Sequence, residues 1–450
     1  MSDKVKITSS YIEELITLIK NKNSTKLVEI ITDVHVADIA EIIENLTCNH
    51  AKYFYNLIYN EEKSAAVLIE LEDDTREDLL EDLSAKEIAE EVIENLETDD
   101  AADVIGELSE DKKEEVLSHI EDIEHASDIS DLLNYAENTA GSLMAKELIR
   151  VNENWNTIQC LKEMRKQADN VKTVYTIYVV TDDNTLLGLM SLRRLLLTER
   201  ATAIKDIMFT DIISVKATEE NEDVANMMQK YDLVVLPVVD DSGKLIGRIT
   251  IDDVMDVAKE EAEKDYQMAS GISEDVESSD SIWELTRARL PWLLIGMLGG
   301  LIGAKIIGIF DLERNFELAF FIPLIAAMGG NVGIQSAAIV VQGLANDSLK
   351  MDNIFQKLLK ELGVGVLSGI ICSLIILGAV CGLEYPIKLS LTVSISILAV
   401  IIFSALFGTF IPLSLKKYNI DPALATGPFI ATVNDVLGIF IYFWIGEIIL

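Results

Sequence analysis

Apolar residues recur every three or four positions through residues 1–135, as at Ile39, Ile42, Ile43 and Leu46, or at Leu79, Leu80 and Leu83. Short polar breaks interrupt them and proline is absent. That spacing predicts a succession of short helices, each burying one face. Three stretches repeat loosely, HVADIAEIIENL, SAKEIAEEVIENL and TDDAADVIGEL, which predicts a superhelix of small helix pairs.

The period then changes. VYTIYVVTDDNTLLGLMSLRRLL from Val174 matches LVVLPVVDDSGKLIGRITIDDVM from Leu233, with Tyr178 aligned to Pro237, Asp182 to Asp241, Gly188 to Gly247 and Leu192 to Ile251. Each copy reads strand, acidic turn, strand, helix, and each follows an amphipathic helix, carrying Leu161 and Met164 in one case, Ala225 and Met228 in the other. This is one α/β module used twice, over residues 136–200 and 201–263.

Residues 264–289 form a linker and a connecting helix that Asp280 or Ser281 can cap and that carries Trp283, Leu285 and Arg287. Five runs long enough to cross a bilayer follow within 290–450: Leu290–Phe310, Leu318–Ala345, Leu362–Leu383, Leu389–Leu415 and Pro422–Gly446. The expected fold is thus a multidomain membrane protein: an all-α superhelical domain over residues 1–135, an α/β pair, and an α-helical bundle of five transmembrane spans.

Charge sharpens this division. Residues 286–450 carry ten basic and ten acidic side chains, so the whole formal charge of −38 lies in residues 1–285. A surface that acidic repels nucleic acid and attracts cations. No signal-peptide core precedes it, which predicts a cytoplasmic location for the soluble half. With that half inside, Arg287, Arg289, Lys350, Lys357, Lys360, Lys416 and Lys417 fall on the inner edges, against Arg314 and Lys388 outside. The protein is expected to be multi-pass in the cell membrane, surrounded by lipid, with Leu450 outside. The four cysteines and four histidines form no metal-ligand spacing.

Asp435 is the sharpest chemical signal. A carboxylate in mid-span costs roughly 2.5–3.5 kcal/mol on insertion scales, so it should face water, a cation or a partner. Ala431 lies on the same helix face one turn earlier, and Pro428 is expected to free the carbonyl of Leu424. Oxygen ligands along a path suit a hard cation, above all magnesium. The second span holds MGGNVGIQSAAIVVQGLA, in which Gly329, Gly330 and Gly333 allow close approach beside Asn331, Gln335 and Ser336. Gly299–Gly303 and Gly365–Gly369 read as plain packing seams.

In the soluble half Asp99 and Asp103 stand four apart on one helix face, Asp253 and Asp256 three apart, and Glu261 and Asp265 four apart. Glu220, Glu222 and Asp232 add carboxylates in the second α/β copy. Such groups repel across domain interfaces unless divalent cations bridge them. Each alone is better read as a solvated surface charge; only the ensemble favours a cation sensor.

The repeated α/β unit resembles a tandem pair of cystathionine-β-synthase (CBS) domains, most of all in GRITIDDVMDV. The whole order of parts resembles the MgtE magnesium channel family, on DDAAD at Asp99–Asp103, IDDVMDV at Ile251–Val257, GGN at Gly329–Asn331 and DPALATGPFIATVNDV at Asp421–Val436. The resemblance implies a homodimer in which Asp435 holds hydrated magnesium, Ala431 and Gly427 turn carbonyls toward it, and Asp421 sits near the cytoplasmic mouth. It departs from the family pattern at Ile334, where a second Asn is usual, and at Ala66, where a Glu is usual.

The expected function is a magnesium channel closed by cytosolic magnesium, with no enzymatic activity. Two alternatives stay open. One is a transporter regulated mainly by a nucleotide such as ATP at the CBS pair, with Thr250 and Asp253 meeting a ribose or phosphate. The other is an exchanger of cobalt, nickel or manganese.

Overall fold

Side-chain caps start the helices of the acidic half. Thr8, Asn23, Asn60 and Asp122 each accept a backbone N–H at the head of Ser9–Lys20, Ser24–Asp33, Glu61–Ile69 and Ile123–Leu132. Val36–Glu44, Cys48–Tyr55, Asp73–Glu81, Thr98–Gly106 and Glu110–His119 complete the regular helices there. The SAKEIAEEVIENL stretch is irregular. A capping box of Ser84 and Glu87 opens a short α-turn, a π-turn follows over Ile88–Val92 and a 3-10 turn over Ile93–Asn95. The wide turn keeps Ile88, Ala89, Val92 and Ile93 all buried.

This computed structural model describes residues 6–168, 171–273, 276, 280–310, 316–345, 354–418, 420–425 and 427–450. The chain forms two compact units, Met1–Ala258 and Lys259–Leu450. Arg314 and Lys350, used above for orientation, lie outside the described residues.

In the first unit each α/β copy has three strands rather than the two expected. The sheets run β1 (Ile149–Asn152), β2 (Ile177–Val180), β3 (Leu186–Met190) and β4 (Val215–Lys216), β5 (Val235–Val239), β6 (Leu245–Thr250). β2 and β3, like β5 and β6, pair antiparallel, while β1 and β4 add in parallel through the crossover helices Thr157–Gln167 and Asn221–Lys230. Tyr178 faces Leu189 and Pro237 faces Arg248 at equivalent points of the two ladders. The leading strands escape a reading by alternation because they hold only four and two residues.

The two copies are buried differently. The first packs around its own core of Ile149, Val151, Cys160, Ile177, Val179 and Met190. The second shares one continuous core with the helical region, from Leu15, Ile39 and Ile88 through Val224, Met228, Leu236 and Ile249.

β6 leads directly into a twenty-residue helix, Ile251–Ser270. The expected boundary at 263/264 therefore falls inside a continuous helix, because no Gly or Pro interrupts residues 251–270.

In the second unit five helices among the described residues are long and apolar enough to span a membrane: Ile282–Ile307, Phe316–Leu344, Ile354–Gly382, Ile387–Lys417 and Pro428–Ile449. Ser281 caps the first in a box with Glu284, so the expected connecting helix and the first span are a single helix. The fifth starts at Pro428 and not at Pro422; residues Pro422–Ala425 make a separate 3-10 turn. Pro428 thus occupies the first helical turn, where its missing N–H leaves no carbonyl orphaned, and the expectation about Leu424 is corrected. Gly365 and Gly369 admit the fourth span at Ala405 and Leu398, and Gly299 admits Thr432 of the fifth.

Candidate cation sites

Within the first unit the helix Thr98–Gly106 presents Asp99, Asp100 and Asp103, and the start of Ile251–Ser270 presents Asp253. Burial raises all four, Asp253 further raises Asp99, Asp100 and Asp103, and Asp100 further raises Asp99 and Asp103. Burial, then Asp100 and Asp253, hold Asp99 well above the ordinary carboxylate range; its residue is 8% exposed. Burial and then Asp253 push Asp100 up to about 6. Asp103 is pushed up to about 7 by crowding of protein around it and by Asp100 and Glu107, but the residue is exposed at the surface, so solvent screens much of this effect. Asp253 rises to about 6 by burial, against hydrogen bonds from Thr250 that lower it.

Those bonds matter for the other proposed ligand. Thr250 Oγ1 and the Thr250 amide both donate to Asp253 Oδ2, at 2.6 and 3.2 Å. Asp253 therefore caps its own helix and leaves Oδ1 free of this capping role.

Around this cluster are residues that the sequence reading passed over. Glu97, directly before the acidic helix, pairs with Arg248 of β6 at 3.0 Å, and the arginine is 3% exposed. Glu147 accepts from the Thr98 amide at 3.0 Å and from the Thr98 hydroxyl at 2.9 Å, so it caps the helix from 49 residues away. Arg76 donates to Glu107 through Nε at 2.9 Å. Asp100 was visible in the DDAAD motif. Nothing local marks Glu147, whose partner is set by tertiary packing.

The remaining first-unit candidates stand apart. Glu220 and Glu222 sit at the head of Asn221–Lys230 and Asp232 just beyond its end, all exposed, about 15 Å of helix between them. Asp256 is exposed one turn after Asp253. Among the described residues no three His, Cys, Asp or Glu side chains stand close enough to hold a metal ion directly. Magnesium does not require that, since it keeps several of its waters and is held by one or two carboxylates.

The second unit has its own carboxylates. Glu261 pairs with Lys264 at 3.1 Å, and Asp265 is raised by burial, then by Asp421 and Glu261. Asp421 Oδ1 accepts the Ala423 amide at 2.8 Å, fixing the 3-10 turn before the fifth span. That span begins at Gly427, with φ +51°, whose carbonyl takes the first helical bond from the Ala431 amide at 3.0 Å. A side chain at Gly427 would meet the Ala269 carbonyl oxygen at 2.2 Å, and one at Gly271 would meet Pro428 at 2.4 Å. The end of the helix Ile251–Ser270 thus lies directly against the start of the fifth span.

Asp435 sits two turns into that span, half-buried. A side chain at Gly330 would meet Asp435 Oδ1 at 3.3 Å and Ala431 at 3.8 Å, so the second span's glycine lets the carboxylate pack closely against that helix. Asn331 is exposed on the next position of that span. Asp435, Ala431 and Gly330 therefore come together, while Asn331 faces away from the single-chain bundle.

Family models match in the same order: an MgtE intracellular N domain over 34–138, CBS domains over 140–199 and 204–260, and the MgtE divalent cation transporter model over 322–445. The magnesium transporter MgtE of Thermus thermophilus is 35% identical over 72% of this chain and 73% of its own. That of Bacillus subtilis is 32% identical over 70% of each. The crystal structure of the cytosolic domain of the Mg2+ channel MgtE in complex with ATP matches at 29% identity, over 55% of this chain and 99% of that one, with a TM-score of 0.50. Inosine-5'-monophosphate dehydrogenases match over stretches of 18–35% of the chain, through the CBS pair they share, so these enzymes lend it no activity. This is a multi-pass membrane protein and not an enzyme: the chain belongs to the MgtE family of divalent cation transporters.

Proposed function

We propose that the protein is a magnesium uptake channel, closed when cytosolic magnesium binds between its helical domain and its second CBS repeat. The observation that carries this reading is the crowding of Asp99, Asp100, Asp103 and Asp253, each with a raised pKa. Four like charges held this way make the docked arrangement costly at neutral pH unless cations offset them. Hydrated magnesium between Asp253 and the DDAAD helix would do so. The bridges Glu97–Arg248 and Thr98–Glu147 then set the geometry that the metal stabilises.

The ion path itself runs past Asp435, Ala431 and Gly330. Its carboxylate attracts the hydrated ion, and a homodimer would place two fifth spans about one axis. Closure would press Ala269–Gly271 onto Gly427 and Pro428; release would withdraw them. Glu261, Asp265 and Asp421 form a second acidic group beside that contact and would bind magnesium in the closed state. The acidic domains face the cytoplasm, where the ion level is to be sensed.

The decisive experiment is magnesium flux into proteoliposomes with magnesium varied independently on each side. Flux should fall as magnesium rises on the side of the acidic domains and respond little to the other side beyond driving force. Symmetric inhibition would overturn the sensor assignment.

A nucleotide reading has one specific support, the similarity to a relative's cytosolic domain with ATP. In this chain Thr250 Oγ1 is already committed to Asp253 Oδ2, so ATP would reach Asp253 through Oδ1 or would have to displace that bond. Calorimetric titration of ATP against wild type and Thr250→Val separates the two readings.

A further inference from the structure

Beside Asp435 stands a residue the ion path does not use. Asn434 is 0% exposed, and neither atom of its carboxamide has a protein hydrogen-bond partner among the described residues. It is aimed into a seam that only glycine permits. A side chain at Gly333 of the second span would lie 1.8 Å from Asn434 Nδ2, and one at Gly408 of the fourth span would lie 2.3 Å from the Gly333 carbonyl oxygen. Ser404, also 0% exposed and also without a protein partner for its hydroxyl, abuts the same turn at Gly329. A buried amide without a protein partner is unfavourable, and an apolar residue of the same size would suit this position better for stability alone. Polar groups kept inside a membrane bundle against that penalty serve function.

We propose that Asn434 is a positioning residue for the ion-attracting carboxylate and thereby sets selectivity for magnesium over calcium. This rests on the reading of Asp435 as the group on the ion path. Neighbouring residues on a helix are fixed 100° apart, so seating Asn434 against Gly333 fixes the bearing of Asp435. Side-chain tips lie about 5–6 Å from a helix axis, so a 20° rotation moves the carboxylate by about 2 Å. That is close to one magnesium–oxygen bond length, and it decides whether the carboxylate meets the ion's water shell or the ion itself. Magnesium demands a rigid octahedron and releases water reluctantly, whereas calcium accepts six to eight ligands in flexible geometry. A carboxylate locked at water-shell distance favours magnesium; one free to approach favours calcium.

The test is the ratio of magnesium to calcium flux in proteoliposomes of the full chain. Asn434→Leu should lower that ratio by roughly tenfold while thermal unfolding in detergent is unchanged or shifted upward. Gly333→Ala should lower it similarly with Asn434 intact, because its methyl expels the amide, and the double variant should be no worse than either. An unchanged ratio in folded Asn434→Leu overturns the proposal, whether or not stability moves. If the leucine variant aggregates, Asn434→Ser decides by the same ratio. Asp435→Asn is run alongside: if it conducts like wild type, the ion-path reading fails, whereas its loss with an unshifted Asn434→Leu ratio overturns this inference alone.

Discussion

The two units handle negative charge in opposite ways. The first crowds Asp99, Asp100, Asp103 and Asp253 until each holds its proton more tightly than a free carboxylate. The second places one carboxylate, Asp435, in a span otherwise free of charge up to Glu447, packed closely against Gly330 of the second span. A crowd responds to cation concentration, because repulsion is relieved only when cations are abundant. A lone carboxylate attracts one ion at a time and lets it go. In the proposed mechanism, sensing and conduction would use the same chemical group at different densities.

The largest effect should come from removing the lone charge. In Asp435→Asn, magnesium flux should fall by about two orders of magnitude, the factor that about 3 kcal/mol of lost attraction represents. Wild-type flux would erase the contrast between the units.

Thinning the crowd should come next. With Asp99, Asp100, Asp103 and Asp253 all changed to Asn, both repulsion and ligation disappear. Bridging draws on several carboxylates at once, so the loss of ligation is expected to outweigh the loss of repulsion. The channel should then remain open at magnesium levels that close wild type, with the closing midpoint raised at least about tenfold. Single-channel recording from excised patches, with magnesium raised on the cytosolic face, measures this.

Protons should partly imitate the metal. Asp100 and Asp253 titrate near 6 and Asp103 near 7, against an ordinary 3.8, so the docked form binds more protons than the separated form. Docking is therefore favoured as pH falls: this contribution is complete below about pH 4 and lost as pH rises through 6 to 7. Limited proteolysis without magnesium should be slower at pH 5.5 than at pH 8, and added magnesium should protect more at pH 8. Equal magnesium protection at both would mean that the crowded carboxylates are not the sensor.

The smallest effect concerns contacts that need no metal. Glu147→Gln keeps one acceptor for Thr98 and loses the charge, which should lower the docking stability by about 1 kcal/mol. A melting shift of about 2–4 °C in the soluble unit would register it.

Much of this was legible in the sequence because periodicity and repetition report burial directly. The helical pieces, the doubled α/β unit, the five spans and the isolation of Asp435 all follow from side-chain type at fixed spacing. What escaped depends on contacts or on context. Strands β1 and β4 are too short to show a period. Pro428 has the same chemistry at the head of a helix as inside one, and only the left-handed Gly427 before it shows which applies. Glu147 and Arg248 reach the acidic helix across the fold. Asn434 reads in sequence as a neighbour of Asp435, and its burial against Gly333 is a property of three packed helices.

The contact between Gly427 and the Ala269 carbonyl leaves less than a methyl group of clearance. Backbone meets backbone there, with no long side chain to bend and absorb a partial displacement. If this contact closes the ion path as proposed, a latch without slack has two positions and no intermediate ones, and a continuous change in ion level should be reported as discrete openings. Adding a methyl at this point, in Gly427→Ala, would act as a doorstop: the latch could no longer close, however much of the ion had gathered on the sensor.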